Sequence, residues 1–216
     1  MRKYTYDYPR PALTVDSVLF TWFGEKLQTL LIQRGQDPFK GMWAYPGGFV
    51  DEGETAGQAA VRELWEETGV HGIHIEQLYT ETNPHRDPRG WIISVVHFAL
   101  VPASIDILPG DDASQVAWHP VHQSPAMVFG HELFLRKALE RMRQQLLFHV
   151  IGREILPVDF ELKDLYKFYL QLINIPEQVE KLVKRLIDYG ILIQVGTKWH
   201  FEKGRYEAVL KTGFLR

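Results

Sequence analysis

The stretch from Gly48 to Val70, GFVDEGETAGQAAVRELWEETGV, constrains this chain more than any other. It predicts a helix over Thr55–Thr68, closed by Gly69 in the way a glycine ends a helix. Ala56, Ala59, Ala60 and Leu64 mark one face for burial. Glu63, Glu66 and Glu67 stand at i, i+3 and i+4, which gathers three carboxylates on another face. Like charges so close destabilise a helix unless a cation or an arginine lies between them. Two glutamates so placed are ordinary solvated surface; three call for a reason. Arg62, one position earlier, has the reach to lock a ligand carboxylate or Glu54 in place. Gly47 and Gly48 permit a close approach to a phosphate or to the start of the helix. Hard oxygen ligands of this kind call for Mg²⁺ or Mn²⁺.

The flanking sequence supplies a sheet. Thr14–Trp22 and Leu27–Gln33 are rich in β-branched, leucine and aromatic residues and read as strands joined by a turn at Gly24-Glu25-Lys26. Ile73–Thr80, Trp91–Val101 and Gln115–His119 read as further strands. Gly130–Val150 reads as a long helix, with Leu135, Leu139, Met142 and Leu146 at helical spacing. Helices in two layers around a mixed sheet account for this order. The remainder differs: helices over Leu162–Leu172 and Pro176–Tyr189, a hairpin of Ile191–Val195 and Trp199–Phe201, and Tyr206–Lys211 as a strand completing that sheet. The expectation is one domain over residues 1–152 and a small winged-helix-like α+β domain over residues 153–216.

Composition narrows the chemistry. The chain has no cysteine, which excludes a disulfide framework, a cysteine nucleophile and a thiolate zinc site. Its nine histidines show no HExxH spacing, so a zinc peptidase finds no support. His85, His119 and His122 read as surface or structural groups. No run of 18 apolar residues occurs and Met1–Arg10 lacks an apolar signal core, so the expectation is a cytoplasmic protein with no membrane partner. The net charge of −3 is uneven. Residues 153–216 hold 11 Lys/Arg against 9 Asp/Glu, leaving 13 against 18 for the rest. An acidic first segment suits a site that gathers divalent cations and holds nucleic acid poorly.

The helical stretch resembles the Nudix hydrolases at every fixed position of their signature: Gly48, Glu54, Arg62-Glu63-Leu64, Glu66-Glu67 and Gly69-Val70. The resemblance implies the Nudix α/β/α sandwich and hydrolysis of a nucleoside diphosphate linked to a further group. It implies Glu63, Glu66 and Glu67 as the metal-binding set, Glu54 as a supporting carboxylate and Arg62 as a salt-bridging positioner. Glu67 then serves as bridging ligand or general base, with Asp111 or Asp112 on a later loop as the alternative base. The segment His85–Gly90 resembles that of ADP-ribose pyrophosphatase-like Nudix domains. It also resembles that of the NrtR group of regulators, which join a Nudix domain to a winged helix and sense ADP-ribose. On that likeness Arg86 and Arg89 grip phosphate or the terminal ribose, and Trp43 and Tyr45 stack on adenine.

Two departures from the regulators favour an enzyme. The acidic set is intact here, whereas many of those regulators have lost it. The helix PEQVEKLVKRLIDY carries Glu177, Glu180 and Asp188 against Lys181, Lys184 and Arg185, where the regulators carry an Arg/Lys-rich stretch. DNA contact needs several phosphate-neutralising cations, and Lys198, His200, Lys203 and Arg205, read as hairpin residues, are the candidates. The preferred reading is therefore a Mg²⁺-dependent hydrolase of ADP-ribose, acting as a homodimer. An ADP-ribose-responsive regulator is the alternative, and DNA is a possible but not the favoured partner.

Overall fold

A computed structural model describes residues 5–110 and 113–212. Two long strands, β1 (Ala12–Phe23) and β2 (Lys26–Arg34), form an antiparallel hairpin with Phe23 opposite Lys26. Its two turn residues, Gly24 and Glu25, both have φ of 59°, the left-handed geometry that matches strand twist in a tight hairpin. β3 (Trp43–Ala44) pairs with β2, and β4 (Gly47–Phe49) pairs with β1. β5 (Glu76–Glu81), β6 (Ile92–Leu100) and β7 (Ala113–Pro120) complete a mixed sheet of seven strands in which β6 runs parallel to β1.

β1 is buried on both faces, and its alternation decides what each face meets. Val18, Phe20 and Trp22 pack under the long helix α2 (His131–Phe148), against Phe134, Ala138 and Met142. Leu19 joins Leu30, Leu64 and Val70 on the opposite side, and Val15 meets Ala59 and Ala60. Ala59, Ala60 and Leu64 belong to α1 (Ala56–Thr68), so one helix lies on each face. Each large apolar side chain buried in this way contributes ~1.5–3 kcal/mol. Thr55 caps α1 in a capping box with Gln58, and Gly69 ends it at φ 71°. The strand expected from Ile73 begins only at Glu76, with Ile73 and Ile75 packing from the loop before it.

The C-terminal segment comprises α3 (Leu162–Ile173), α4 (Pro176–Asp188), the hairpin of β8 (Leu192–Val195) and β9 (Lys198–Phe201), and α5 (Lys203–Thr212). The strand expected over Tyr206–Lys211 is thus a helix. The Glu202 carboxylate accepts the Gly204 and Arg205 N–H groups at 3.2 and 2.6 Å and so starts α5. The outer edge of β9 is taken instead by Phe160, which exchanges two 2.9 Å backbone hydrogen bonds with Trp199. Lys203 and Arg205 consequently lie on α5 and not on the hairpin. Among the described residues no helix is long and apolar enough to cross a membrane.

The C-terminal segment is not a loose appendage: its buried residues share one apolar cluster with those beneath the sheet. α3 sits on the β1–β2 turn, where Gln171 accepts the Leu27 N–H at 2.9 Å and donates to the Glu25 carbonyl at 3.0 Å. Phe168 meets Trp22 edge-on at 5.7 Å. Gln171→Ala leaves the Leu27 N–H buried without a partner and should cost ~1–3 kcal/mol of unfolding free energy. Lys167→Ala, which removes only an exposed ion pair with Glu25, should be near neutral. Chemical denaturation of the two variants checks the contrast.

Candidate active site

The acidic face of α1 divides in a way the sequence does not announce. Glu66 is exposed and Glu63 half-buried, but Glu67 is only 8% exposed and its Oε2 accepts the Gly47 N–H at 2.8 Å. Glu67 is therefore no member of a solvated face. Burial pushes its carboxyl up to about 8; Gly47 opposes this, while Glu63 and Asp16 add to it. Burial also raises Glu63, partly offset by Arg62.

Arg62 occupies the space between the other carboxylates. Its Nε and Nη2 donate to the two oxygens of Glu54 at 2.9 and 3.0 Å, and Nη1 reaches Glu63 at 2.8 Å and Glu66 at 3.1 Å. Nη2 also donates to the Phe49 carbonyl at 3.0 Å. The two-pronged bond from Arg62 holds Glu54 below the usual carboxylate range. The sequence places Arg62, Glu54 and Glu63 together, and the structure does so too.

The donor chemistry fits a hard divalent cation: three carboxylates within two turns of one helix, one of them buried beside a second acid. Among the described residues no three acidic or histidine side chains converge on one point, because Arg62 draws Glu63 and Glu66 while Glu67 turns to Gly47. Rotation of the exposed Glu66 and of Glu63 about their side-chain bonds would bring them round. Gly48 is held close: a Cβ there would collide with the Glu63 carboxylate, and one on Gly47 with the Val15 carbonyl.

Facing these acids is a basic wall that sequence reading missed in part. A groove of about 340 Å³ runs between Glu63, Glu67 and Asp51 on one side and Arg34 and Arg89 on the other. Arg34 ends β2 and is held by the Pro38 carbonyl at 2.8 Å. Burial and the neighbouring Arg89 both lower its proton affinity. Arg89 is aimed by Asp87, which grips it with both oxygens at 3.0 and 2.7 Å. Both guanidiniums lie over the Phe129 ring, that of Arg34 at 5.0 Å and that of Arg89 at 5.2 Å from its centre. Phe129 sits at φ 57°, followed by Gly130 at 68°, a strained backbone for a bulky residue.

The aromatic residues expected to stack on a base are placed otherwise. Tyr45 is 1% exposed, its hydroxyl 3.2 Å from Thr29 Oγ1 and its ring stacked on His131. Trp43 lies outside the groove, edge-on to His119 at 4.5 Å. Both are packing residues. Phe49, 44% exposed, lines the groove beneath Arg89 instead. Arg86 points inward, 5.5 Å from the Phe134 ring, and lines a deeper recess with Asp16 and His131. His85 and His122 are exposed. Asp111 and Asp112, the alternative bases, lie outside the described residues.

Asp16 is buried on β1, and Ser94 Oγ donates to its Oδ2. Its Oδ1 lies 3.4 Å from His131 Nε2, while the Tyr45 N–H donates to His131 Nδ1 at 2.9 Å. Burial raises Asp16 to about 7, against the opposing pull of Arg86 and Ser94. Burial, with Arg86 and Arg34, keeps His131 neutral. The sequence signal for this pair was thin: an acid inside a strand, and a histidine opening a helix after Phe129-Gly130.

Comparison with known proteins now places the chain. The NUDIX domain model matches residues 13–142, so the chain belongs to the NUDIX domain family, and its complete signature makes it a Nudix hydrolase, a class that works with divalent metal ions. It is 38% identical over 136 residues to the ADP-ribose pyrophosphatase of Methanocaldococcus jannaschii, covering 63% of this chain and 77% of that protein. It is 31% identical over 190 residues to the ADPR responsive transcriptional repressor NtrR of Acinetobacter baylyi, covering 86% of this chain and 76% of that one. Among solved structures it is similar to Shewanella oneidensis NrtR complexed with a 27mer DNA, with a TM-score of 0.73, 32% identity and 94% and 98% of the two chains covered.

The buried acid gives a stability test. Asp16 binds its proton more tightly folded than unfolded, so the folded state loses ground as pH rises from about 4, the unfolded value, to about 7. The slope for one such group is at most ~1.4 kcal/mol per pH unit. Asp16→Asn should flatten that decline between pH 5 and 7, measured by urea denaturation. Parallel wild-type and variant profiles would remove the basis for it.

Proposed function

We propose that this chain hydrolyses the diphosphate of ADP-ribose to AMP and ribose 5-phosphate with Mg²⁺ or Mn²⁺. One observation carries the reading: a groove walled by the carboxylates of the Nudix signature on one side and by Arg34 and Arg89 on the other. Such a groove is complementary to a diphosphate accompanied by a divalent cation. The likeness to an ADP-ribose pyrophosphatase and to an ADPR responsive repressor supports the choice of ADP-ribose.

In this reading Glu63, Glu66 and Glu67 hold the cation, which when bound offsets diphosphate charge and makes water a better nucleophile. Arg62 anchors Glu54 and would release Glu63 and Glu66 toward the cation. Arg34 and Arg89 grip the diphosphate oxygens, stiffened by Pro38 and Asp87. Phe49 offers an exposed ring for the base. Glu67, whose proton affinity burial raises most among the groove carboxylates, is the group placed to accept the proton of the attacking water. Residues 1–152 form the catalytic domain and residues 153–216 a winged-helix-like domain, in a cytoplasmic homodimer.

A ligand-responsive regulator is the second reading, favoured by the match to a DNA-complexed NrtR along nearly the whole chain. The cations available to it are largely engaged. Lys184 pairs with Asp188 at 2.8 Å, Lys198 lies 3.4 Å from Glu161, and Arg205 donates to the Tyr189 carbonyl at 2.5 Å. DNA binding by this chain should therefore be weak and lost at physiological salt. Sub-micromolar, sequence-specific anisotropy changes on candidate operators at about 150 mM salt would make the regulator the primary reading.

The hydrolase reading is tested by product analysis on ADP-ribose beside other nucleoside diphosphate sugars, NADH and diadenosine polyphosphates. AMP and ribose 5-phosphate are expected, with ADP-ribose preferred. Glu66→Gln and Glu67→Gln should each lower kcat by about 10²-fold or more. Arg34→Ala should act chiefly on KM, raising it about tenfold or more through loss of a charged hydrogen bond. Full turnover in either glutamine variant would remove the acidic set from the reaction.

A further inference from the structure

The groove does not end at its charged rim. Past Gly47, Gly48 and Phe49 it continues into a recess of about 40 Å³ whose floor is polar and buried. Three groups meet there from three elements: Asp16 of β1, His131 at the start of α2, and Arg86 of the loop after β5.

Their hydrogen-bonding capacity is not used up. Because His131 Nδ1 accepts the Tyr45 N–H, the neutral ring carries its proton on Nε2. That Nε2 is buried and has no hydrogen-bond partner, Asp16 Oδ1 standing off at 3.4 Å. His131 is only 2% exposed. The Nε of Arg86 is likewise buried and unpartnered, while its Nη1 reaches the Phe129 carbonyl at 3.4 Å. Asp16 is satisfied on one oxygen alone, by Ser94. With Asp16 ionised, the residues lining this small recess thus carry two unmet donors and one unmet acceptor. Buried polar groups without partners are rare in native proteins, and each calls for a reason: a ligand, a function or an ordered water.

The mixture of donors and acceptor selects the chemistry of that ligand. A carbonyl would accept from His131 and Arg86 but could not donate to Asp16. An amino group would donate to Asp16 and leave both N–H groups unmet. A phosphate oxygen would accept from both N–H groups, with Arg34 and Arg89 also in the lining, but could not donate to Asp16. A hydroxyl does both, accepting from the two N–H groups and donating to the carboxylate. The recess has room for it: its volume of about 40 Å³ exceeds the ~10–15 Å³ that a single water-sized group needs.

We infer that this recess reads a single sugar hydroxyl of the substrate, with Asp16 and His131 as the specificity-determining pair and the sugar lying along Gly47 and Gly48. The inference rests on the nucleoside diphosphate sugar reading above. Either sugar of such a substrate could supply the hydroxyl, and the two are separable by experiment.

The test compares kcat/KM for ADP-ribose with that for analogues lacking single hydroxyls on the adenosine ribose or on the terminal ribose. A site built to bond a hydroxyl rejects the analogue without it strongly, so one analogue should fall by about 100-fold or more on the wild type. The sugar whose analogue falls identifies the hydroxyl that is read. In Asp16→Ala the same discrimination should collapse, ADP-ribose dropping to the level of the analogue. Asp16→Asn, which keeps an acceptor oxygen and nearly the same shape, should restore part of it. A purely structural role would lower all substrates in parallel. Equal cleavage of every analogue by the wild type overturns the inference and assigns the recess to an ordered water. Absence of any turnover or binding of ADP-ribose defeats instead the functional reading, and the inference with it.

Discussion

Arg62 is the point on which the site depends. A single guanidinium satisfies Glu54, two carboxylates of α1 and the Phe49 carbonyl, tying the loop that follows β4 to the helix that follows the loop. Without it, three glutamates within two turns repel one another and the loop bearing Glu54 loses its anchor. Arginine is suited to this and lysine is not, because a planar fork can hold both oxygens of Glu54 while its remaining N–H groups serve others. The same network explains why Glu67 stands apart. It is buried against the Gly47 N–H and answers to the backbone rather than to Arg62. The acidic face therefore contains one fixed carboxylate and two that Arg62 can release.

The opposite wall is built on the same economy. Arg34 and Arg89 both lie over one ring, Phe129, and each is held by a protein oxygen. Two cations so near each other raise the cost of leaving the groove without an anion, as the acids across it raise the cost of leaving it without a cation. The strain at Phe129 and Gly130 belongs to this arrangement, since a left-handed pair of residues is what turns the chain from the β3 edge into α2 with that ring inward. Beyond the ion pairs of Arg62 and Arg89, the protein thus sets unlike charges around a groove without closing them into pairs. That is a poor choice for stability and a good one for binding a charged ligand.

Much of this was legible in the sequence, and the failures have physical reasons. α1, its cap and the position of Arg62 could be read because local spacing alone determines them. The strands could be read because β1 and β2 carry long runs of β-branched and apolar residues. Asp16, His131 and Arg34 could not, since each lies in an unremarkable local setting and becomes chemical only when the sheet and α2 bring them to one place. Tyr45 misled because an aromatic beside a glycine turn has the same local pattern whether it faces a ligand or the core. α5 was misread for a similar reason: Tyr206 and Val209 carry too short a pattern to separate a period of two from one of 3.6. Of the deciding facts, the Glu202 cap is local but the Phe160 bridge, which takes the edge of β9, is tertiary.

The C-terminal segment and the groove share a strand. β2 begins at the turn that Gln171 and Lys167 hold against α3 and ends at Arg34 in the groove. Between those ends it is paired with β7 on one side and with β1 and then β3 on the other, its register shifting at Gln33/Arg34. A ligand that engages Arg34 therefore acts on the same rigid element that α3 grips. Such an arrangement transmits a signal only where the ligand binds two states of the chain unequally; a ligand indifferent between them shifts nothing, however tightly it binds. In a hydrolase the connection serves to steady Arg34, because a strand clamped at its far end holds its terminal side chain more firmly than a free hairpin would. The same covalent path thus suits catalysis when the chain has one state and sensing when it has two.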